Sequence, residues 1–299
     1  MYVEPSWNSL VEHLKSMEAK RIYVAGGADS GKTTLAQFLV RTFSVLMPTA
    51  FIDCDPGQST LGLPTTLNAG FYPTGSKEPE TVLSRFIGNI SPHGHHAAIL
   101  LALNRLIEKM KEKNAECMIF DSSGYSIGQP AVEYQTTVIE MVQPDVVILL
   151  ENDQELEPLN TVLLKFKNIV IEKLPVSQAI RPRSIAARRE KRELKYQTYF
   201  KDSDIQVIDV KDFALCGSLP ERFTVQSMRG RLLAFCDDER FVIALGIARS
   251  FYKMDNICIC QTPEFDHSKV AFLHFGDIFI SPEFKEKHPG EWQQRDEKN

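Results

Sequence analysis

The chain has 299 residues, 43% hydrophobic and 24% charged, which fits a globular protein of one large or two ordinary domains with enough material for a buried core. Its formal net charge of −5 argues against an indiscriminate nucleic-acid binder without excluding a local basic site. No apolar run approaches the roughly 18–20 residues that cross a bilayer, and the polar opening MYVEPSWNSL does not read as a secretory signal, so no membrane contact and a cytoplasmic location are expected.

Residues 21–25, RIYVA, read as an apolar strand, and residues 31–46 as a helix with Leu35, Phe38, Leu39, Thr42 and Phe43 at helical spacing. Between them lies GGADSGKTT, which matches G-x-x-x-x-G-K-[ST] in the strand-to-helix setting that a phosphate-cradling loop requires. Gly26, Gly27, Ala28, Asp29, Ser30, Gly31, Lys32, Thr33 and Thr34 then form the cradle, with backbone N–H groups and a helix start turned toward a triphosphate. Lys32 reaches the β- and γ-phosphates as a point charge, and the Thr33 hydroxyl ligates Mg²⁺.

The next strand, residues 50–53, runs into DCDPGQST, so Asp53 and Asp55 emerge two apart on one face at a carboxyl end, where ligands bind in open α/β sheets. One of these carboxylates could hold Mg²⁺ or take a proton from an attacking hydroxyl. Residues 56–79 read as irregular, rich in Gly, Pro and Thr. A strand-like stretch at 86–88 leads to Ser91-Pro92-His93-Gly94-His95-His96 and a helix over 95–113. Three histidines so close in sequence do not make a zinc site without a fourth ligand.

Residues 117–121 form another apolar strand ending in Asp121, the natural metal-contacting aspartate of a nucleotide hydrolase or kinase. Asp121-Ser122-Ser123-Gly124 also fits the D-x-x-G of GTP switches, but no N-K-x-D follows. Helices at 130–142 and 155–166 alternate with strands at 145–150 and 168–171, which predicts a doubly wound α/β domain with a mostly parallel sheet.

Between residues 181 and 195, Arg181, Arg183, Arg188, Arg189, Lys191, Arg192 and Lys195 face only Glu190 and Glu193, a local +5. From about residue 205 the texture changes to short strands, at 232–236, 241–247, 256–260 and 270–275, which predicts a small antiparallel β domain. Expected boundaries are therefore 1–204, 205–284 and a flexible tail at 285–299. The six scattered cysteines, mostly in apolar stretches, read as reduced thiols, and Cys258-x-Cys260 lacks the second pair of a zinc site.

The ordered strings GGADSGKTT, FIDCDPGQST, FIGNISPHGHH, DSSGY and RPRSIAARREKRELKYQTYF resemble the polynucleotide 5′-hydroxyl kinases of RNA 3′-end cleavage and ribosomal-RNA processing. The resemblance spans residues 22–200, and GRLLAFCDDERFVIALGIA is similar to the small β domain those enzymes append. It implies a P-loop kinase with ATP and Mg²⁺ as cofactors and the 5′-hydroxyl end of RNA or DNA as acceptor. It implies that Asp55 is the base or metal organiser and that Asp121 and Thr33 hold the metal. Gln58, Ser91, His95 and the clasp residues Ser122, Gly124 and Tyr125 would meet substrate, with Tyr125 stacking on a terminal base in place of the family's usual Trp. A lid over about 173–200 would supply two arginines five apart, Arg183 and Arg188, with Arg181, Arg189 and Arg192 as substitutes if the register slips. A solvated helix face with i, i+4 pairs such as Arg189–Glu193 is the plainer reading of that segment. Two rivals remain: a nucleotide-binding scaffold without catalysis, and a P-loop kinase or ligase acting on a small molecule.

Overall fold

The computed structural model describes residues 4–287. Helix α1 (Pro5–Ser16) starts on a proline, which suits a first helical position, and buries Trp7, Leu10, Val11 and Leu14. That spacing is legible in the sequence, where the segment was read only as a polar start. Strand β1 (Arg21–Gly26) leads into α2 (Lys32–Phe43), and the Trp7 ring lies 5.5 Å from Phe38 of α2.

The following elements are β2 (Thr49–Asp53), β3 (Thr66–Tyr72), β4 (Thr81–Phe86), α3 (His96–Glu112), β5 (Cys117–Asp121), α4 (Gln129–Val142), β6 (Val146–Leu150), α5 (Glu157–Leu163) and β7 (Val170–Leu174). One sheet runs in the order β4-β3-β2-β5-β1-β6-β7. The contiguous strands β2, β5, β1, β6 and β7 are parallel, and β3 joins β2 antiparallel. β1, β2, β5 and β6 are buried on both faces, which explains their unbroken apolar runs, whereas no residue of edge strand β7 is fully buried. β3 falls in the stretch expected to be irregular. Its Thr, Asn and Gly suggest turns, yet it is almost wholly buried and stabilised by its ladder to β2 rather than by β propensity.

Two compact units emerge. Of the described residues, the first gathers 4–62, Leu67–Leu83 and Ser91–Arg183, and the second gathers Leu63–Thr66, Ser84–Ile90 and 184–287. The division therefore falls at residue 184 rather than near 205. Helix α6 (Ile185–Tyr199) groups with the second unit because Tyr196 and the following Phe200 are buried in its core with Leu232, Leu245 and Ile247. Charged ties add to this: Arg192 grips Glu286 through two bonds of 2.6 and 2.7 Å, and Lys285 reaches Glu193 at 2.9 Å. Arg189 and Arg192, named above as substitute clamps, are thus engaged within this unit, Arg189 with Glu193 at 3.0 Å.

The second unit continues with β8 (Asp204–Asp209), β9 (Ala214–Gly217), the single turn α7 (Val225–Met228), β10 (Arg231–Cys236), β11 (Val242–Tyr252), β12 (Ile257–Thr262), β13 (Phe272–Ile280) and β14 (Glu286–Lys287). Its sheet runs β14-β13-β10-β11-β12-β8, antiparallel throughout, with β9 added parallel to β13. Lys285–Lys287, assigned above to the tail, belong to this structure, and the rest of that tail lies outside the described residues. All six cysteines are free thiols, with Cys258 and Cys260 buried in one core.

His274 of β13 packs edge-on to Phe86 at 5.2 Å. Burial pushes its imidazole pKa down to about 4, helped by Arg240 and Arg85 and opposed by Asp277. Above pH 6.5 the ring is neutral in both folded and unfolded chains. As pH falls from 6.5 to 4 only the unfolded chain takes up the proton, so stability drops by about 2–3 kcal/mol across that window. Urea unfolding against pH should show this slope, and His274→Gln should flatten it; an unchanged slope would refute the assignment.

Candidate active site

The loop between β1 and α2 curls through left-handed Asp29 (φ 58°) and Gly31 (φ 93°), the latter being the N-cap of α2. No side chain caps this helix, so its first N–H groups face the loop without a side-chain partner. Lys32 is buried and donates to the Gly27 carbonyl at 2.6 Å. Burial lowers its pKa, opposed by Asp121, Asp55 and Asp29. The buried Ser30 Oγ has no hydrogen-bond partner. A helix start without a side-chain cap, an ammonium and an orphaned hydroxyl make up a donor set that a polyphosphate satisfies.

Gly31 is required here by its backbone, and the Ile180 methyl that a side chain would meet is the movable end of its own side chain. An alanine Cβ would lie 2.6 Å from Ile180 Cδ1, and φ 93° disfavours any L side chain. Gly31→Ala is expected to cost about 1–2 kcal/mol of stability. Adding Ile180→Ala removes the clash but not the backbone strain, so urea unfolding should show only a partial recovery.

Asp53 and Asp121 sit side by side in register at the carboxyl ends of β2 and β5, with β1 next to β5. Asp53 Oδ2 accepts from Ser59 Oγ at 3.0 Å, Thr60 N at 2.5 Å and Leu61 N at 3.2 Å. Burial nonetheless raises its pKa to about 6, against those amides. Asp121 is raised to about 7 by burial and then by the Asp53 charge, with Lys32 and the Thr33 hydroxyl pulling it back. Its Oδ1 is buried without a hydrogen bond. Asp55 differs: it is half-buried, and Oδ1 accepts the Gly57 and Gln58 amides at 2.8 and 3.0 Å. Gln58 Nε2 donates back to Gly57 O at 2.7 Å, leaving its Oε1 buried and unpaired.

After β5 the chain turns across the loop. Gly124 approaches Ala28 so closely that a Cβ would meet Ala28 Cα at 3.0 Å, and the Ser126 hydroxyl bonds Gly26 O at 3.3 Å. The Ser122 hydroxyl lies at Ser123 O, 3.3 Å away. Gln135 Nε2 donates to the Tyr125 carbonyl at 2.8 Å and its Oε1 accepts from the Tyr23 hydroxyl at 2.7 Å, which fixes the turn to β1. The half-exposed Tyr125 ring stands 5.8 Å from Tyr134, 6.1 Å from His96 and 6.5 Å from His93. His96 and Tyr134 are 4.8 Å apart, and His96 Nε2 is buried without a partner. Ser91 Oγ accepts His93 N at 3.2 Å, while His95 is the N-cap of α3 without a side-chain cap bond.

Of the two arginines expected to serve a lid, Arg183 meets the loop through Asp29 at 2.8 Å, and Arg188 lies on α6 in the second unit. The phosphate loop, Asp53, Asp55, Gln58, Asp121 and the Ser122–Tyr125 turn share the first unit with Ser91, His95 and Arg183. Sequence reasoning missed Tyr134, His96 and Ile180. Tyr134 and Ile180 carry no motif, and His96 was read only as part of a histidine run.

The mRNA cleavage and polyadenylation factor CLP1 P-loop family model matches residues 26–202. Over 205 residues the chain is 31% identical to a polyribonucleotide 5′-hydroxyl-kinase of Pyrococcus horikoshii, covering 66% of this chain and 54% of that protein. That match spans about half the length of the relative. A second such kinase, of Pyrococcus abyssi, is 26% identical over 336 residues, with 92% of each chain covered. A solved structure of wild-type Clp1p with a Pcf11p segment superposes with a TM-score of 0.71 at 12% identity, covering 92% of this chain and 79% of that one, a likeness of fold. The family match begins at the first glycine of the phosphate loop, ends just beyond α6 and takes in more than half of the sequence, so the chain belongs to the CLP1 P-loop family.

Proposed function

We propose that the chain is an ATP- and Mg²⁺-dependent kinase that moves the γ-phosphate of ATP to the 5′-hydroxyl end of RNA or DNA. The observation that carries this reading is the position of Tyr125. Its half-exposed ring belongs to a patch of histidine and tyrosine rings, on a turn whose Gly124 touches the phosphate loop. A phosphate site beside a flat aromatic surface suits an acceptor that ends in a base, and such stacking contributes about 1–3 kcal/mol per base. The names of the archaeal relatives support the same activity.

Lys32 and the loop amides would bind the β- and γ-phosphates, and Gln58 would touch a phosphate oxygen. Asp55 would accept the proton of the attacking hydroxyl, since Oδ1 is held by two amides while Oδ2 has no hydrogen bond among the described residues. Thr33 and Asp121 would hold Mg²⁺, with Asp55 at the edge of its shell. The buried, unpaired Asp121 Oδ1 and a carboxyl raised to about 7 mark a place short of positive charge. When bound, Mg²⁺ supplies the charge neutralisation that lets a phosphoryl group leave ADP. Asp53, with three donors on one oxygen, would shape the Asp55–Leu61 loop. Arg183 would lie against the transferred group, which its pairing at the loop supports.

The direct test is transfer of labelled γ-phosphate to a 5′-hydroxyl oligonucleotide, with a free nucleoside in parallel. Labelled 5′-phosphate on the oligonucleotide is the expected result. No product, or preference for the nucleoside, would overturn the assignment.

A further inference from the structure

The segment between β7 and α6 crosses the phosphate loop as a strap tied at several points. Val176 N donates to Asn152 Oδ1 at 2.9 Å, and the Ser177 hydroxyl donates to the Glu4 carboxylate. Ile180 Cδ1 rests on Gly31. At its end, Arg183 meets Asp29 three times: the backbone N–H reaches Oδ2 at 2.9 Å, Nε reaches Oδ1 at 2.9 Å, and Nη2 reaches Oδ1 at 2.8 Å. The Asp29 side chain is only 5% exposed, against 42% for Arg183.

A buried carboxylate inside a loop built for anions calls for a reason, because it repels the phosphates it adjoins. Lys32 and Arg183 offset that charge. The pattern of bonds is more informative than the charge alone. Asp29 takes one main-chain and two side-chain contacts from a single residue, fixing both where the strap ends and which way the guanidinium points. Its left-handed backbone, which aspartate tolerates better than most residues, is part of this geometry.

We propose that Asp29 is a positioning residue for phosphoryl transfer: its carboxylate holds Arg183 at the rim of the phosphate loop, so that the guanidinium is oriented before nucleotide binds. The proposal rests on the reading of Arg183 as a contact of the transferred group. It differs from the usual part of this loop position, which is to lend a backbone amide.

Asp29→Asn is the informative variant. Asparagine keeps the shape and tolerates the left-handed backbone, but every orientation of its amide leaves an N–H facing an Arg183 donor. Turnover should fall about 10- to 100-fold, the scale of a misplaced catalytic group, while the KM for ATP stays within roughly threefold. In an Arg183→Ala background the same change should cost nothing more, since the group it positions is gone. Millimolar guanidinium should partly restore Arg183→Ala and fail to restore the double variant. Asp29→Gly, which removes the carboxylate and accepts a positive φ, separates loss of the contact from loss of the fold and should match Asp29→Asn. Losses that multiply in the double variant, or an effect confined to the KM for ATP, would overturn the positioning role alone. Undiminished turnover in Arg183→Ala would instead overturn the reading of Arg183 and the proposal with it.

Discussion

Replacing Lys32 with alanine should lower phosphoryl transfer by about a thousandfold, the upper range for removing one preorganised donor from a dry site. The ammonium is the buried cation of the loop, in the field of Asp121, Asp55 and Asp29. Its removal strips the phosphate cradle of its point charge and leaves those carboxylates less compensated. The fold should survive, because Asp121, already raised to about 7, can take a proton in its place. Lys32→Arg should also be poor, since a planar fork does not replace a compact ammonium in a buried slot. Single-turnover transfer beside a thermal melt separates the two effects. Transfer within tenfold of the native chain would remove Lys32 from the mechanism.

Asp55→Asn should reduce kcat by about 10²- to 10⁴-fold, the range expected for loss of a general base. The substitution is mild structurally: an asparagine Oδ1 can still accept the Gly57 and Gln58 amides that the aspartate accepts. ATP binding, read by competition with a fluorescent analogue, should stay within a few-fold. Asp53→Asn should act differently, because three donors converge on Oδ2 while Oδ1 faces the Asp55 N–H at 3.4 Å, so an amide in either orientation turns an N–H toward a donor in the loop they shape. A larger stability loss than transfer loss in Asp53→Asn, with the reverse in Asp55→Asn, is the expected contrast. Equal losses of both kinds in the two variants would contradict the division of roles.

Much of the first unit was legible because the parallel strands are buried on both faces and therefore appear as apolar runs, each ending where the next helix or loop begins. The phosphate loop announces itself through backbone demands that only Gly26 and Gly31 meet. β3 was hidden for the opposite reason, since its residues suit turns and its order comes from the ladder to β2. Helix α6 showed its charges plainly but not its allegiance. Nothing in a basic run says that Arg192 will find Glu286, nearly a hundred residues on. The Asp29–Arg183 pair was equally invisible, because both residues were assigned to a phosphate and neither to the other.

The chain passes between its two compact units after Gly62, Thr66, Leu83, Ile90 and Arg183. Such interleaving bears on ancestry and engineering alike. No single cut releases either unit as a contiguous cassette, so a truncation near residue 204 would strip the second unit of its sheet while leaving stray pieces of it in the first. A fusion that appended only the C-terminal strands to a phosphate-binding core would leave out the short segments at 63–66 and 84–90 that group with them. The two units are therefore expected to have been inherited together, as one evolutionary module.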